Sequence, residues 1–136
     1  MDTKTAAQIL SDLSQALQDA SNAVDPLITQ LQADGKWGDA QTMMRVQADL
    51  LADSTKVNAI AVQAIVDAAS SDVVKIQEVN AQMKTQAQAF AADEANIARF
   101  VSIATAAGQV VAGFTPAGGV IAVGKALSAL TQALGI

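Results

Sequence analysis

The chain has 136 residues, of which 51% are hydrophobic and 3% aromatic, and it contains no His, Cys or Tyr. This inventory removes the commonest general acid and base, the thiol nucleophile and the nitrogen and sulfur metal ligands, so we expect no enzyme activity, catalytic residues, metal or cofactor. The net charge is −5 and the eight cations are scattered singly, which excludes nucleic acid as an expected partner. No basic segment followed by an apolar core occurs near residue 1, which predicts secretion without a Sec signal peptide, or a cytoplasmic location until release.

An amphipathic helix is predicted for the N-terminal segment. Its apolar residues repeat at alternating spacings of four and three, which places them on one seam of a helix. The seam consists of Ala6, Leu10, Leu13, Leu17, Ala20, Val24, Leu27 and Leu31. Pro26 interrupts this helix without changing the phase of the seam, so we expect a bend there, or two abutting helices with Asp25 as the second N-cap.

The segment from Asp34 to Asp39 predicts a turn that contains Gly35, Trp37 and Gly38. Gly35 suits the left-handed position after a helix, and Asp39 is a favourable N-cap for the next one. For Trp37 we favour a hydrophobic plug folded over the turn, with a recognition anchor as the alternative.

Residues 39–107 contain neither Gly nor Pro and predict long helices. Ser70-Ser71-Asp72 is the plausible break, so a pair of helices is favoured and one long rod is the alternative. The second helix has Ile76, Val79, Met83, Phe90, Ile97 and Phe100 on heptad spacing. Asp49 and Asp53 are four residues apart, which favours a solvated helix face over a paired-carboxylate site.

The chain changes character near Arg99. All thirteen acidic residues precede residue 100, and the last 37 residues carry Lys125 as their single charge. We therefore expect an acidic amphipathic region over residues 1–99 joined to a hydrophobic helical hairpin over 100–136, within a single domain. The predicted fold is all-α, either an antiparallel helical bundle or an elongated helical hairpin. Pro116, Gly118 and Gly119 form the turn of the C-terminal hairpin.

Both arms of this hairpin have an apolar face that predicts contact with a membrane or with another copy. The face consists of Phe100, Ile103, Ala104, Gly108, Val110, Val111, Ala112, Phe114, Val120, Ile121, Val123, Leu127, Leu130 and Leu134. Ala104, Gly108 and Ala112 form a small-xxx-small ladder, which permits close approach of two helix backbones. The first arm, Phe100–Phe114, is about 22 Å long and falls short of the roughly 30 Å hydrocarbon core, whereas the second is long enough but holds Lys125 near its middle.

Two functions follow from this composition. The first is a membrane-active protein whose soluble form inserts the hairpin into a bilayer as an oligomer; in plan this resembles the hydrophobic hairpin of α-helical pore-forming toxins. The alternative is a self-assembling structural protein, a filament or homo-oligomer subunit, that uses the same hairpin as its packing surface. Any acid trigger would act through carboxylates such as Asp93 and Glu94 at the entrance of the hairpin, because the chain has no His.

Overall fold

The computed structural model describes residues 1–114 and 120–136, with the side chains of residues 120–122 left out. Its described part is helical and contains no strand, which confirms the all-α class. The helices are α1 (Thr3–Ala23), α2 (Asp25–Ala33), α3 (Trp37–Val57), α4 (Val62–Val66), α5 (Ser70–Ala91), α6 (Ile97–Gly113) and α7 (Val120–Leu134), with a 3-10 turn at Glu94–Asn96 before α6. They pack as a bundle.

The N-terminal seam is buried along its whole length, from Ala6 to Leu31, as its spacing predicts. Asp2 begins α1 as its N-cap, accepting a hydrogen bond from the backbone N–H of Thr5 at 2.7 Å. The predicted division into two helices is confirmed, but the prediction of Asp25 as the second N-cap is wrong. Val24 occupies that position, and Asp25 lies in the first turn of α2, where its carboxylate accepts a hydrogen bond from Gln47 of α3.

The turn after α2 is shorter than the sequence indicated. Gly35 has φ of 72°, which confirms the left-handed position. However, α3 begins at Trp37 with Lys36 as N-cap, so Gly38 and Asp39 belong to its first turn and the prediction of Asp39 as N-cap is wrong. Trp37 is 61% exposed, so the predicted hydrophobic plug is also wrong.

The segment without Gly or Pro is broken three times, after α3, after α4 and after α5, which excludes the single rod and makes the favoured pair of helices wrong as well. The predicted break at Ser70-Ser71-Asp72 is wrong, because these residues form the first turn of α5, and α3 already ends at Val57 with the short α4 between the two helices. The predicted second helix also ends at Ala91, so Ile97 and Phe100 belong to α6. Ile60 and Ile65 are buried, and α4 packs on α1. Burial of these two side chains against α1 accounts for a break that no Gly or Pro marks.

The bundle places α1 against both α3 and α5, while α6 packs on α3 and α7 packs on α5. Ser14 contacts Ser54 and Ser21 contacts Gln47, so α1 and α3 are antiparallel. The C-terminal helices α6 and α7 pack along each other as a hairpin. Buried residues of both the acidic region and the hairpin belong to one hydrophobic core.

Candidate functional site

The hairpin formed by α6 and α7 turns its apolar face into the bundle. Of the predicted contact residues, nine are buried in the core: Phe100, Ile103, Ala104, Val110, Val111, Val123, Leu127, Leu130 and Leu134. Gly108 and Phe114 are partly buried and Ala112 is exposed. The side chains of Val120 and Ile121, and the turn residues Pro116, Gly118 and Gly119, lie outside the described residues. The described part of the hairpin therefore presents little of its apolar face to lipid or to another copy.

The two arms lie close together at Gly113. A Cβ atom at Gly113 would lie 2.4 Å from Cγ2 of Val123 and 3.4 Å from its Cα. At the far end of the hairpin, Nε of Arg99 donates a hydrogen bond to the carbonyl of Ala133 at 3.1 Å. The arms are therefore antiparallel, and Gly113, which is not part of the small-xxx-small ladder, lies at their contact.

Gly108, the centre of that ladder, faces α3 instead. A Cβ atom at this position would lie 3.3 Å from Oδ2 of Asp53. Asp53 is 7% exposed, so the solvated-face prediction is wrong for this residue. Burial raises the pKa of the Asp53 carboxyl group and is the largest effect on it. The positive charge of Lys56 lowers this pKa, and the negative charge of Asp49 raises it further. No described group donates a hydrogen bond to this carboxylate.

The second arm repeats the arrangement against α5. Asp72 is 7% exposed, and a Cβ atom at Gly124 of α7 would lie 3.5 Å from its Oδ1. One turn further along, Nζ of Lys75 donates a hydrogen bond to Oγ of Ser128 at 3.1 Å, so α5 and α7 run parallel. Each arm of the hairpin thus places a glycine against a buried aspartate of the acidic region.

Sequence reasoning missed these two aspartates as site residues, although a signal for them exists. Asp53 lies three residues after Leu50 and four before Val57, and both of those residues are buried. Asp72 precedes Ile76 by four residues and so falls on the seam of α5. An acidic residue at a seam position predicts a buried carboxylate, and a glycine on the opposing helix supplies the room that it occupies.

The entrance of the hairpin is held by polar contacts. Lys36 of the α2–α3 turn forms a salt bridge with Glu94, and this hydrogen bond raises the pKa of Lys36. Asp93 caps the 3-10 turn, accepting a hydrogen bond from the backbone N–H of Ala95 at 2.9 Å. The guanidinium of Arg99 lies 4.3 Å from the ring centroid of Phe90. These contacts tie the start of α6 to α5 and to the α2–α3 turn.

The remaining surface offers open grooves. One, of about 400 Å³, lies between α1 and α5, and beside it Oδ1 of Asn80 is buried without a hydrogen-bond partner. Nδ2 of Asn80 donates to the carbonyl of Ile9 at 3.2 Å. Among the described residues no group of three or more Asp or Glu side chains is arranged to hold a metal ion.

One helical stretch of the described chain is long and apolar enough, by length and composition, to cross a membrane. It covers Glu94–Gly113, 20 residues with a mean hydropathy of 1.2, and 39% of its most apolar window is buried in the bundle. No protein-family model, curated protein or solved structure matches the chain.

Proposed function

We propose that this protein is membrane-active: the bundle holds the α6–α7 hairpin in a shielded state, and the hairpin enters a bilayer as part of an oligomer. The observation that carries the proposal is the interface between the hairpin and the acidic region. It buries Asp53 against Gly108 and Asp72 against Gly124. Burial raises the pKa of the Asp53 carboxyl group, so the ionised form weakens its contact with α6 and this part of the interface is suited to opening.

Helix lengths support a hairpin in which the first arm spans. The 20 residues of Glu94–Gly113 would extend about 30 Å as one helix, which matches the hydrocarbon core. This arm is longer than the sequence indicated, because the helix begins before Phe100. The second arm is shorter: the 15 residues of Val120–Leu134 extend about 22 Å, so the prediction that it is long enough is wrong.

Lys125 and the short second arm favour an oligomer over a lone hairpin. A lysine at the bilayer centre costs about 2.5–3.5 kcal/mol, a cost that falls when the residue faces a water-filled space between subunits. Lys125 is already on the exposed side of α7 in the bundle, opposite the buried Leu127 and Leu130. The inserted form would therefore keep Lys125 on a wet face.

A reversible disulfide cross-link, or staple, across the α3–α6 interface tests this proposal. The Cβ position of Gly108 is 3.9 Å from Cγ of Asp53, which is within reach of a disulfide after substitution of both residues by Cys. The natural chain has no Cys, so D53C/G108C would form the one possible disulfide. Oxidised D53C/G108C should release no dye from loaded liposomes, and addition of a reductant should restore leakage.

The two single-Cys variants, D53C and G108C, are the matched controls, since they carry each substitution without the staple. Both should leak dye with and without oxidant. Leakage by the oxidised double variant equal to that of its reduced form would exclude hairpin release, and absence of leakage from the natural chain would exclude membrane activity. Charged substitutions at Val110 or Val111 do not test the proposal. Both side chains are buried, so a charge at either position would unfold the bundle.

The alternative is a filament or homo-oligomer built through the same hairpin face. Because that face lies in the core, such assembly also requires the hairpin to leave the bundle. Negative-stain microscopy of the same stapled sample separates the two functions. Ordered polymers that form only after reduction, without dye leakage, would favour the structural protein.

A further inference from the structure

The hairpin face is buried, but α3 carries an apolar seam on its solvent side. Trp37, Met44 and Leu51 are 61%, 41% and 49% exposed. They follow each other at intervals of seven residues, so they form one line along the helix. Gln41 and Ala48 lie between these three residues, and Thr55 lies beyond Leu51, so the six positions follow each other at alternating spacings of four and three. Gln41, Ala48 and Thr55 are also exposed. We call these six residues the α3 seam.

We propose that a second copy of this chain binds the α3 seam, with the two α3 helices antiparallel. The sequence of sizes along the seam is the first reason. Large residues at 37, 44 and 51 alternate with smaller or polar ones at 41, 48 and 55. An antiparallel copy pairs Trp37 with Thr55 of its partner, and Met44 with Ala48 of its partner. Every large side chain then meets a smaller one, as knobs meet holes in a coiled coil.

The same register is consistent with two-fold symmetry. Gln41 of each copy contacts Leu51 of the other copy. Each contact therefore occurs twice, as an isologous dimer requires. A parallel pair would instead set Trp37 against Trp37 and Met44 against Met44, and would leave the small positions 41, 48 and 55 facing one another. Antiparallel pairing is therefore the arrangement that fills the seam.

Charge is the second reason. The six seam residues are uncharged, and the exposed Arg45, Asp49 and Lys56 lie together on one flank of the seam. Asp39 and Asp53 lie on the other side of α3, the side on which Asp53 faces α6. A net charge of −5 would repel a second copy, but these aspartates point away from the seam. This inference does not rest on the membrane-active function, because it uses no residue of the hairpin.

Cross-linking tests the register. Gln41→Cys and Leu51→Cys are made as separate single-Cys chains and mixed under mild oxidation. We expect a disulfide-linked heterodimer to predominate, since 41 faces 51 of the partner, while equivalent positions in two copies lie about 15 Å apart along the axis. A predominance of Q41C homodimer would indicate parallel helices and would overturn the proposal.

Sedimentation velocity of the natural full-length chain tests the surface itself. Met44→Glu should convert dimer to monomer, whereas Val74→Glu, at a residue 51% exposed on α5, should leave the dimer intact. A natural chain that stays monomeric up to about 1 mM would overturn the proposal, as would a dimer unaffected by M44E. A monomer whose Trp37 emission shifts to the blue only on addition of lipid vesicles would show that a bilayer covers the seam instead.

Discussion

Oδ2 of Asp53 on α3 lies 3.3 Å from the position that a Cβ atom would take at Gly108 on α6. This contact joins the acidic region to the hairpin, and it consists of a buried carboxylate facing a residue without a side chain. Any larger residue at 108 would displace the carboxylate. The stability of this interface therefore depends on the charge of Asp53 and on the size of residue 108.

Asp53→Asn should stabilise the protein at neutral pH. Burial raises the pKa of the Asp53 carboxyl group in the folded state, so the ionised form disfavours folding. Removal of the charge should increase the free energy of unfolding by on the order of 1 kcal/mol, measured by urea denaturation at pH 7. Asp49→Asn, one turn earlier on the exposed face of α3, is the control and should change it little.

The increase in the free energy of unfolding that D53N produces should become smaller as pH falls. A carboxyl group whose folded-state pKa is raised favours folding below its unfolded pKa, near 3.9, and loses this contribution as pH rises through the folded value. The difference between D53N and the natural chain should therefore be present at pH 7 and vanish in acid. A difference that grows as pH falls would contradict the burial of this charge. Acid thus strengthens this contact.

Gly124→Ala should stabilise the bundle more than Gly108→Ala. Both glycines lie inside helices, where alanine is favoured by about 0.5–1 kcal/mol. The new Cβ at 124 meets Asp72 at 3.5 Å, an ordinary contact, whereas the Cβ at 108 meets Asp53 at 3.3 Å and forces its carboxylate to move. Thermal unfolding of both variants checks the order. G108A should recover the full gain in an Asp53→Ala background, and equal gains in the natural background would contradict the tight contact.

Gly113→Ala should destabilise the protein, because its Cβ would lie 2.4 Å from Cγ2 of Val123. Val123 is 2% exposed and its β-branched side chain has little rotamer freedom, so the helices themselves must separate. We expect a loss of about 1–3 kcal/mol in the free energy of unfolding. In a double-mutant cycle, Val123→Ala should remove most of the penalty of G113A. Additive effects of the two substitutions would exclude the close approach.

The long-range arrangement was less predictable from the sequence than the individual helices. The seam from Ala6 to Leu31 was identified from spacing alone, since one helix face buried along its length leaves a regular pattern. The break between Val57 and Val62 was not, because it follows from burial of Ile60 and Ile65 against a distant helix rather than from Gly or Pro. Local signals therefore located most of the helices but missed α4 and the break between α5 and α6.

In the candidate site, too, the sequence predicted local features but not the contacts between distant helices. The apolar face of the hairpin was predicted from composition and periodicity, and nine of its described residues are buried in the core. Its partners were not predicted, because nothing local to Gly108 or Gly124 indicates which aspartate lies opposite. The position of Asp53 on the seam with Leu50 and Val57 marks it as inward-facing, but it does not identify the helix that it faces.

Trp37→Ala should leave the stability of the monomer within about 0.5 kcal/mol of the natural chain, as expected for an exposed residue. A hydrophobic plug would behave differently, since removal of a buried Trp costs about 3–5 kcal/mol. Trp37 is the single Trp of the chain, so its fluorescence reports on this position alone. At concentrations low enough to keep the chain monomeric, its emission should be red-shifted and readily quenched by acrylamide. A blue, protected emission in the monomer would mean that Trp37 is covered.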